Sequence, residues 1–484
     1  MGAYVELARA HAPLLMMSTA FAAAVLATLS PPRVSWVIAC GGALLSAVFA
    51  FDLALRLLLG GGEFAFLVEA VALETDGVTI FGAALLSFAS VAALVAAGAQ
   101  LGDYEKRAAP FALALALMVQ AAWIGALGAR DLIGLFVAVE TAWLAAVALL
   151  ALSAERSAQN GAMRMLSAGG VGAALFLAGA ALIYHATGAL DLPRIAAAHI
   201  EMADAAALGA GLIVLSIALK AGVAPLHEWL GAGFSRANGL AAIVIGAVGV
   251  TGALAVLVRL AGYFAQAPAM GDGVSIALAL LGGASVVIGS LQAVGATNLR
   301  RLAAYAGAAQ AGGILLCVAL GSPAGVAAAL IQLTALVATA LALFGGAAAG
   351  GVRTLDGLDG LGRRAPLAGA AIMTGAISLM GAPLTLGFLG RWRLVEAGVG
   401  AGWWWAAGAV IFASLAGVFY GGRLIERLYF RRAGEVYLGG AGAWRFATAP
   451  LLIAAIVVTM LGIAPGLLLQ AADAAAAHLL GAAA

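Results

Sequence analysis

Only two lysines occur among 484 residues, against 22 arginines. One of them, Lys220, stands inside Leu212–Pro225, the most apolar part of its run, flanked by Leu219 and by Ala221 to Ala224. Arginine keeps its proton in proteins, whereas lysine can lose it when desolvated. A lysine chosen for such surroundings suggests a group that must deprotonate; a side chain snorkelling to an interface fits them poorly. Glu140 is similarly out of place, among Phe136, Val137, Val139 and Trp143. An ionised side chain at the centre of a bilayer costs at least ~2.5–3.5 kcal/mol, so both residues call for a function. For Glu140 the alternative is a protonated acid that holds two helices together. His227 follows Lys220 by seven residues, about two helical turns, and imidazole titrates near neutrality. It shares the lysine's face if the intervening break is mild; otherwise it is an interfacial histidine. Between them Pro225 removes a backbone donor and frees the carbonyl of Ala221, a natural place for a hydrated pocket.

No cofactor is implied. The other histidines, His11, His185, His199 and His478, have no metal-ligand spacing, and Cys40 and Cys317 both lie in apolar runs. No phosphate loop or nucleophile triad is present.

The elements that carry these residues follow from composition. Sixty-four per cent of the chain is apolar and 10% charged, which excludes a soluble enzyme and a disordered chain. The apolar runs are continuous rather than alternating, which excludes a β-barrel. The fold class expected is an all-α integral membrane protein. Loops divide the chain into about 14 runs, near 12–29, 33–59, 77–100, 109–128, 130–153, 162–186, 205–231, 238–263, 273–296, 302–320, 323–347, 366–390, 402–424 and 447–468. Between runs 2 and 3, Gly60–Gly77 reads as a short extramembrane hairpin or strand, and Gln470–Ala484 as an Ala-rich, weakly amphipathic tail.

Sixteen Lys and Arg fall in the loops on one side, five on the side of the termini. The positive side is cytoplasmic by rule, so both termini are expected in the periplasm of a multi-pass protein of the bacterial inner membrane. Ala224-Pro225-Leu226 in span 7 is echoed by Ala382-Pro383-Leu384 in span 12. Pro-interrupted spans in two halves point to inverted repeats with a path at the membrane midplane.

Four segments resemble the antiporter-like membrane subunits shared by respiratory complex I, Mrp cation/proton antiporters and membrane-bound hydrogenases. Asp131-Leu132-Ile133-Gly134-Leu135-Phe136 followed by Glu140 looks like the family's fifth span. Leu219-Lys220-Ala221-Gly222-Val223-Ala224-Pro225-Leu226-His227-Glu228-Trp229-Leu230 looks like its broken seventh. Asn298 to Tyr305 is similar to the entry of its tenth, and Ser378 to Arg391 to its broken twelfth. The resemblance implies two inverted five-helix repeats, spans 4–8 and 9–13, with helices 7 and 12 broken. The chain then divides into 1–108, 109–263 (first repeat), 273–424 (second repeat) and 425–484.

The function so implied is proton translocation along a mid-membrane line of buried charged residues, with Glu140 and Lys220 as a switchable pair and His227 and Arg391 on the same line. Pro225, Pro383, Gln310 and Asp131 support it. The implied partners are other membrane subunits, sister antiporter-like subunits among them, with protons or Na+ as the ion and lipid around; nucleic acid is not among them. The subunit would be non-catalytic, driven by a redox partner as in NADH:quinone oxidoreductase or hydrogenase-type complexes. The alternatives are an Mrp-type antiporter subunit and a non-conducting scaffold. Of three departures from the family, the first and the last favour the scaffold. Span 8 offers Thr251 where the family has a lysine, span 10 has Gln310 in place of a histidine, and Arg391 replaces an exit lysine.

Overall fold

The computed structural model describes residues 11–59, 73–98, 100, 104, 107–153, 155–198, 200, 202–432 and 449–480. Among them the regular elements are helices, and the extended pairings are three isolated bridges. Most of the expected hairpin at Gly60–Gly77 lies outside the described residues. Eleven helices are long and apolar enough to cross a bilayer, or twelve with the bent pair Ile453–Ile463 and Gly466–Leu480 counted as one. Two shorter apolar helices, Leu14–Thr28 and Pro366–Met380, occupy the remaining apolar runs.

Spans 1 to 6 are Ala12–Thr28, Pro32–Leu58, Gly77–Ala97, Ala108–Gly128, Leu132–Ala151 and Arg156–Thr187. Span 7 is two half-helices, Ala203–Lys220 and Glu228–Arg236. Spans 8 to 11 are Gly239–Ala265, Ala269–Gly295, Leu299–Ala319 and Pro323–Ala349. Span 12 is again split, into Pro366–Met380 and Leu386–Gly400, and span 13 is Trp404–Phe430. Span 14, Ala449–Ile463, turns by 84° into the helix Gly466–Leu480. The sequence reads a straight run to residue 468; Pro465 ends it instead, because a proline cannot continue the hydrogen-bond ladder. The Ala-rich tail is therefore a packed helix, with Ala472, Ala475, Ala476 and Leu479 buried.

Burial follows polarity. Spans 8 and 11 are buried throughout their apolar stretches, span 8 with Arg259 paired to Asp76 inside the molecule, whereas spans 2 and 6 sit at the rim. Both central spans contain a π-helical stretch, Val244–Gly249 and Leu341–Gly345.

The two breaks use one device. After Lys220, Gly222 adopts φ 69°, its N–H bonds Leu219 O, and Val223 N–H reaches back to Ala218 O. After Met380, Gly381 adopts φ 72°, its N–H bonds Ser378 O, and Ala382 N–H reaches Ile377 O. These left-handed glycine caps close the exposed carbonyls of each half-helix before the proline arrives.

A second equivalence lies at the entries of spans 5 and 10. Asp131 caps span 5 by accepting from Ile133 and Gly134 N–H and pairs with Asp191 beyond span 6. Asn298 caps span 10 by accepting from Arg300 and Arg301 N–H and pairs with Thr354 beyond span 11. Glu155, past the far end of span 5, is ion-paired with Arg353, the neighbour of Thr354. The two entry turns therefore lie on opposite faces of the molecule, as inverted copies require.

Candidate proton-transfer site

Lys220 closes the first half-helix of span 7, and its side chain is fully enclosed. Its Nζ is 2.9 Å from Glu140 Oε1 on span 5, a close ion pair rather than an aligned hydrogen bond. It also donates to Gly169 O on span 6 at 3.5 Å and lies 5.0 Å from the centre of the Trp143 ring. The glycines of span 6 make this possible. A Cβ at Gly169 would collide with the Trp143 indole, and one at Gly172 would stand 3.4 Å from Nζ. Trp143 is itself fixed by donating to Met165 O at 3.1 Å. Glu140 is the less enclosed partner, at 18% exposure, on the edge of a face where Val137 and Leu144 are open.

His227 is not on the lysine's face. The segment between them is not helical: Lys220 ends one half-helix and His227 begins the next. The buried His227 ring turns instead towards the second half of the molecule. Its Nε2 makes a short contact with Gln292 Oε1 of span 9, and it meets the Tyr305 ring of span 10 edge-on at 5.8 Å. Glu228, next in the chain, is largely exposed, so His227 stands close to the surface. Pro225 lies in the break, joined to Ala224 by a cis peptide bond. Ala224 N–H donates to Ser285 Oγ of span 9, which in turn donates to Ala308 O of span 10.

Arg391 lies in the second half-helix of span 12, but its guanidinium reaches back to the first. It donates to Leu379 O at 2.5 Å and to Ser414 Oγ of span 13 at 3.1 Å. Each broken span thus places a cation at the carboxyl end of its first half-helix, where the helix dipole favours positive charge. Pro383 sits in the span 12 break beside Leu384, whose φ is 67°.

Between the two cations lie three small cavities. One of about 10 Å³ touches Lys220, Trp143 and Val250. One of about 30 Å³ runs from Val250 to Gln310. One of about 20 Å³ is bounded by Gln310, Gln332, Arg391 and Tyr420. A cavity of ~10–15 Å³ on this measure admits one water. Val250 borders the first two cavities and Gln310 the last two, so they form a line from Lys220 to Arg391. Gln310 Nε2 and Gln332 Oε1 are buried with no hydrogen-bond partner in the protein.

Asp131 is a helix cap on the outer end of span 5, away from this line. Thr251 is buried in span 8, its hydroxyl likewise without a protein partner. Sequence reading missed Trp143 as a ligand of the lysine, Gln292 and Tyr305 beside His227, and Gln332 and Tyr420 beside Arg391. Gln332 carried a signal, as the one amide side chain within its apolar run. The others are visible only once the spans are packed.

Two spans broken by the same cap, inverted turns, and a buried acid–base pair between spans 5 and 7 define an antiporter-like membrane protein. Residues 129–417 match the family described as NADH:quinone oxidoreductase/Mrp antiporter, TM. The NADH-quinone oxidoreductase subunit N of Desulforudis audaxviator is 30% identical over 397 residues, 78% of this chain and 79% of its own. That of Cereibacter sphaeroides is 32% identical over 364 residues, 75% and 78% of the two chains. A chain in the respiratory complex I of Thermus thermophilus with bound aureothin superposes with TM-score 0.79 at 25% identity, over 95% of this chain and 98% of that one. A chain of the Mrp complex from Dietzia sp. DQ12-45-1b shares the fold, with TM-score 0.84 at 22% identity over 98% and 97%. The chain belongs to the NADH:quinone oxidoreductase/Mrp antiporter membrane family and is one of its antiporter-like subunits.

Proposed function

We propose that this subunit conducts protons, with Lys220 as the group that takes up and releases them. The observation that carries the reading is the pairing of Lys220 with Glu140 at 2.9 Å, at the broken end of a half-helix and beside a line of water-sized cavities. While Glu140 is a carboxylate against it, Lys220 holds its proton. When Glu140 is neutralised or withdrawn, the ammonium loses the partner that tips its balance and is no longer favoured in an apolar site. The proton then passes from Nζ to water on the Val250–Gln310 side, and the neutral amine is refilled from the face on which His227 lies. Arg391 keeps its charge throughout and biases the far end.

In this reading the subunit works in the bacterial inner membrane with both termini in the periplasm. It stands beside sister antiporter-like subunits and is driven by a redox partner of the NADH:quinone oxidoreductase kind. Protons are the transported ion, with Na+ as the alternative. Residues 109–263 and 273–424 form its two repeats. A second reading, a non-conducting scaffold, is favoured by one observation: Arg391 and Thr251 stand where the resemblance places titratable lysines.

Replacing Glu140 by Gln separates the two readings. In the purified complex reconstituted into liposomes, Glu140→Gln should lower proton translocation by at least about tenfold, with the full set of subunits retained. Undiminished translocation in an intact complex favours the scaffold.

A further inference from the structure

Arg391 cannot release a proton, yet the cavity line ends on it, so some other group must carry the proton through the second half of the molecule. Among the described residues the candidates there are few. His227 belongs to span 7, and Cys317 is enclosed on span 10 away from the cavities. Tyr420 of span 13 is 2% exposed and lines the same cavity as Gln310, Gln332 and the Arg391 side chain. We infer that Tyr420 is the proton-transfer residue of the second half, with Arg391 as a fixed positive charge on the same cavity.

The chemistry balances without net ionisation. A phenolic O–H is both donor and acceptor. A proton arriving on water in the Gln310–Gln332 cavity is accepted by the Tyr420 oxygen as the hydroxyl's own proton leaves to a second water on the exit side, and rotation about the C–O bond resets the group. Two side chains are placed to orient this water. Gln310 Nε2 is a donor and Gln332 Oε1 an acceptor, both buried and with no protein partner. The two bonds from Arg391 to Leu379 O and Ser414 Oγ fix the guanidinium. Ser414 and Tyr420 are both on span 13, so this span is tied to the break of span 12 at the point where the proton leaves.

The inference rests on the proton-conducting reading above, and the test keeps the two apart. Three variants of the whole complex, Tyr420→Phe, Tyr420→His and Lys220→Ala, are reconstituted into liposomes with a trapped pH indicator. Tyr420→Phe removes one oxygen and keeps the ring, and it should reduce translocation at least about tenfold. Tyr420→His, which can again accept and donate a proton, should recover a large part of it; a merely structural role would give the opposite order, since Phe preserves the packing and His does not. A Tyr420→Phe complex that translocates at the wild-type rate while Lys220→Ala is inactive would overturn this inference and leave the first reading standing. Wild-type rates in both would overturn the first reading as well. Should Tyr420→Phe fail to assemble, 3-fluorotyrosine at 420 keeps ring and hydroxyl; an unchanged translocation rate and pH profile would then overturn the assignment.

Discussion

In the proposed function Lys220 is kept as a cation by several contributions of different size. The carboxyl end of its half-helix and the Trp143 ring each favour positive charge, by up to about 1 and 2 kcal/mol. Together they roughly offset the ~2.5–3.5 kcal/mol that insertion of a lone charge costs. That near-balance leaves Glu140 to decide the protonation state, which is the property a switch requires. A site with a much stronger hold on the ammonium would never release it. The balance depends on Gly169, which lets the Trp143 indole lie against span 6. Gly169→Ala should push the ring off the lysine and destabilise the protein by about 1–3 kcal/mol through overpacking. The check is the melting temperature of the purified protein together with Trp143 fluorescence; an unchanged emission spectrum would show that the ring had not been displaced. The pairing of Lys220 with Glu140 was legible in the sequence, because a charge in an apolar run has no cheap explanation. Trp143 was not legible, since its contact with the ammonium depends on glycines one span further along the chain.

The elements show why some of the fold could be read and some could not. Continuous apolar runs have a single solution in a bilayer, so the spans fell where hydropathy placed them. The broken spans announced themselves through Pro225 and Pro383. The depth of the break at span 7 did not, and with it the side to which His227 turns. A proline fixes where a helix stops but not how the chain leaves it; that direction is set by Gly222 and by the Ser285 hydroxyl that receives Ala224 N–H. Two of the sixteen charges counted as loop residues, Arg423 and Arg427, belong instead to a helix end. They lie within the helix Trp404–Phe430, where Arg423 bonds the last carbonyls of span 9 and Arg427 pairs with Asp356 and Asp359. Gly222 offers the test at this scale. Its positive φ strains any residue with a side chain, and an added Cβ would stand 2.7 Å from Leu230 Cδ1. Gly222→Ala should cost about 1–3 kcal/mol of stability and speed amide exchange from Leu219 to Leu226. Exchange at the wild-type rate would mean that the break is set by the proline alone.

Across the whole molecule, the two halves are locked together on the Arg-rich face. Arg301 donates to Gly231 O at 3.0 Å, Asn298 to Ser235 O, and Arg300 makes a short bond to Ala237 O, so the entry of span 10 caps the end of span 7. Glu155 joins the same face by binding both Arg353 and Arg236. The hydrogen bond from Arg353 is the main reason its carboxyl is held below the ordinary carboxylate value. With the carboxyl end of the second half-helix of span 7 so constrained, the freedom that the proposed switching needs is left to the break itself and to Glu140, whose side chain is the less enclosed of the pair. The central claim is that Lys220 must lose its proton, and one substitution isolates that property. Lys220→Arg keeps the charge and the partner of Glu140 while removing the ability to deprotonate. Measured as proton translocation by the reconstituted complex, Lys220→Arg is expected to assemble normally and to fall at least about tenfold, to the level of Lys220→Ala. Translocation by Lys220→Arg at the wild-type rate would contradict the account, because Lys220 would then be no more than a fixed counter-charge to Glu140.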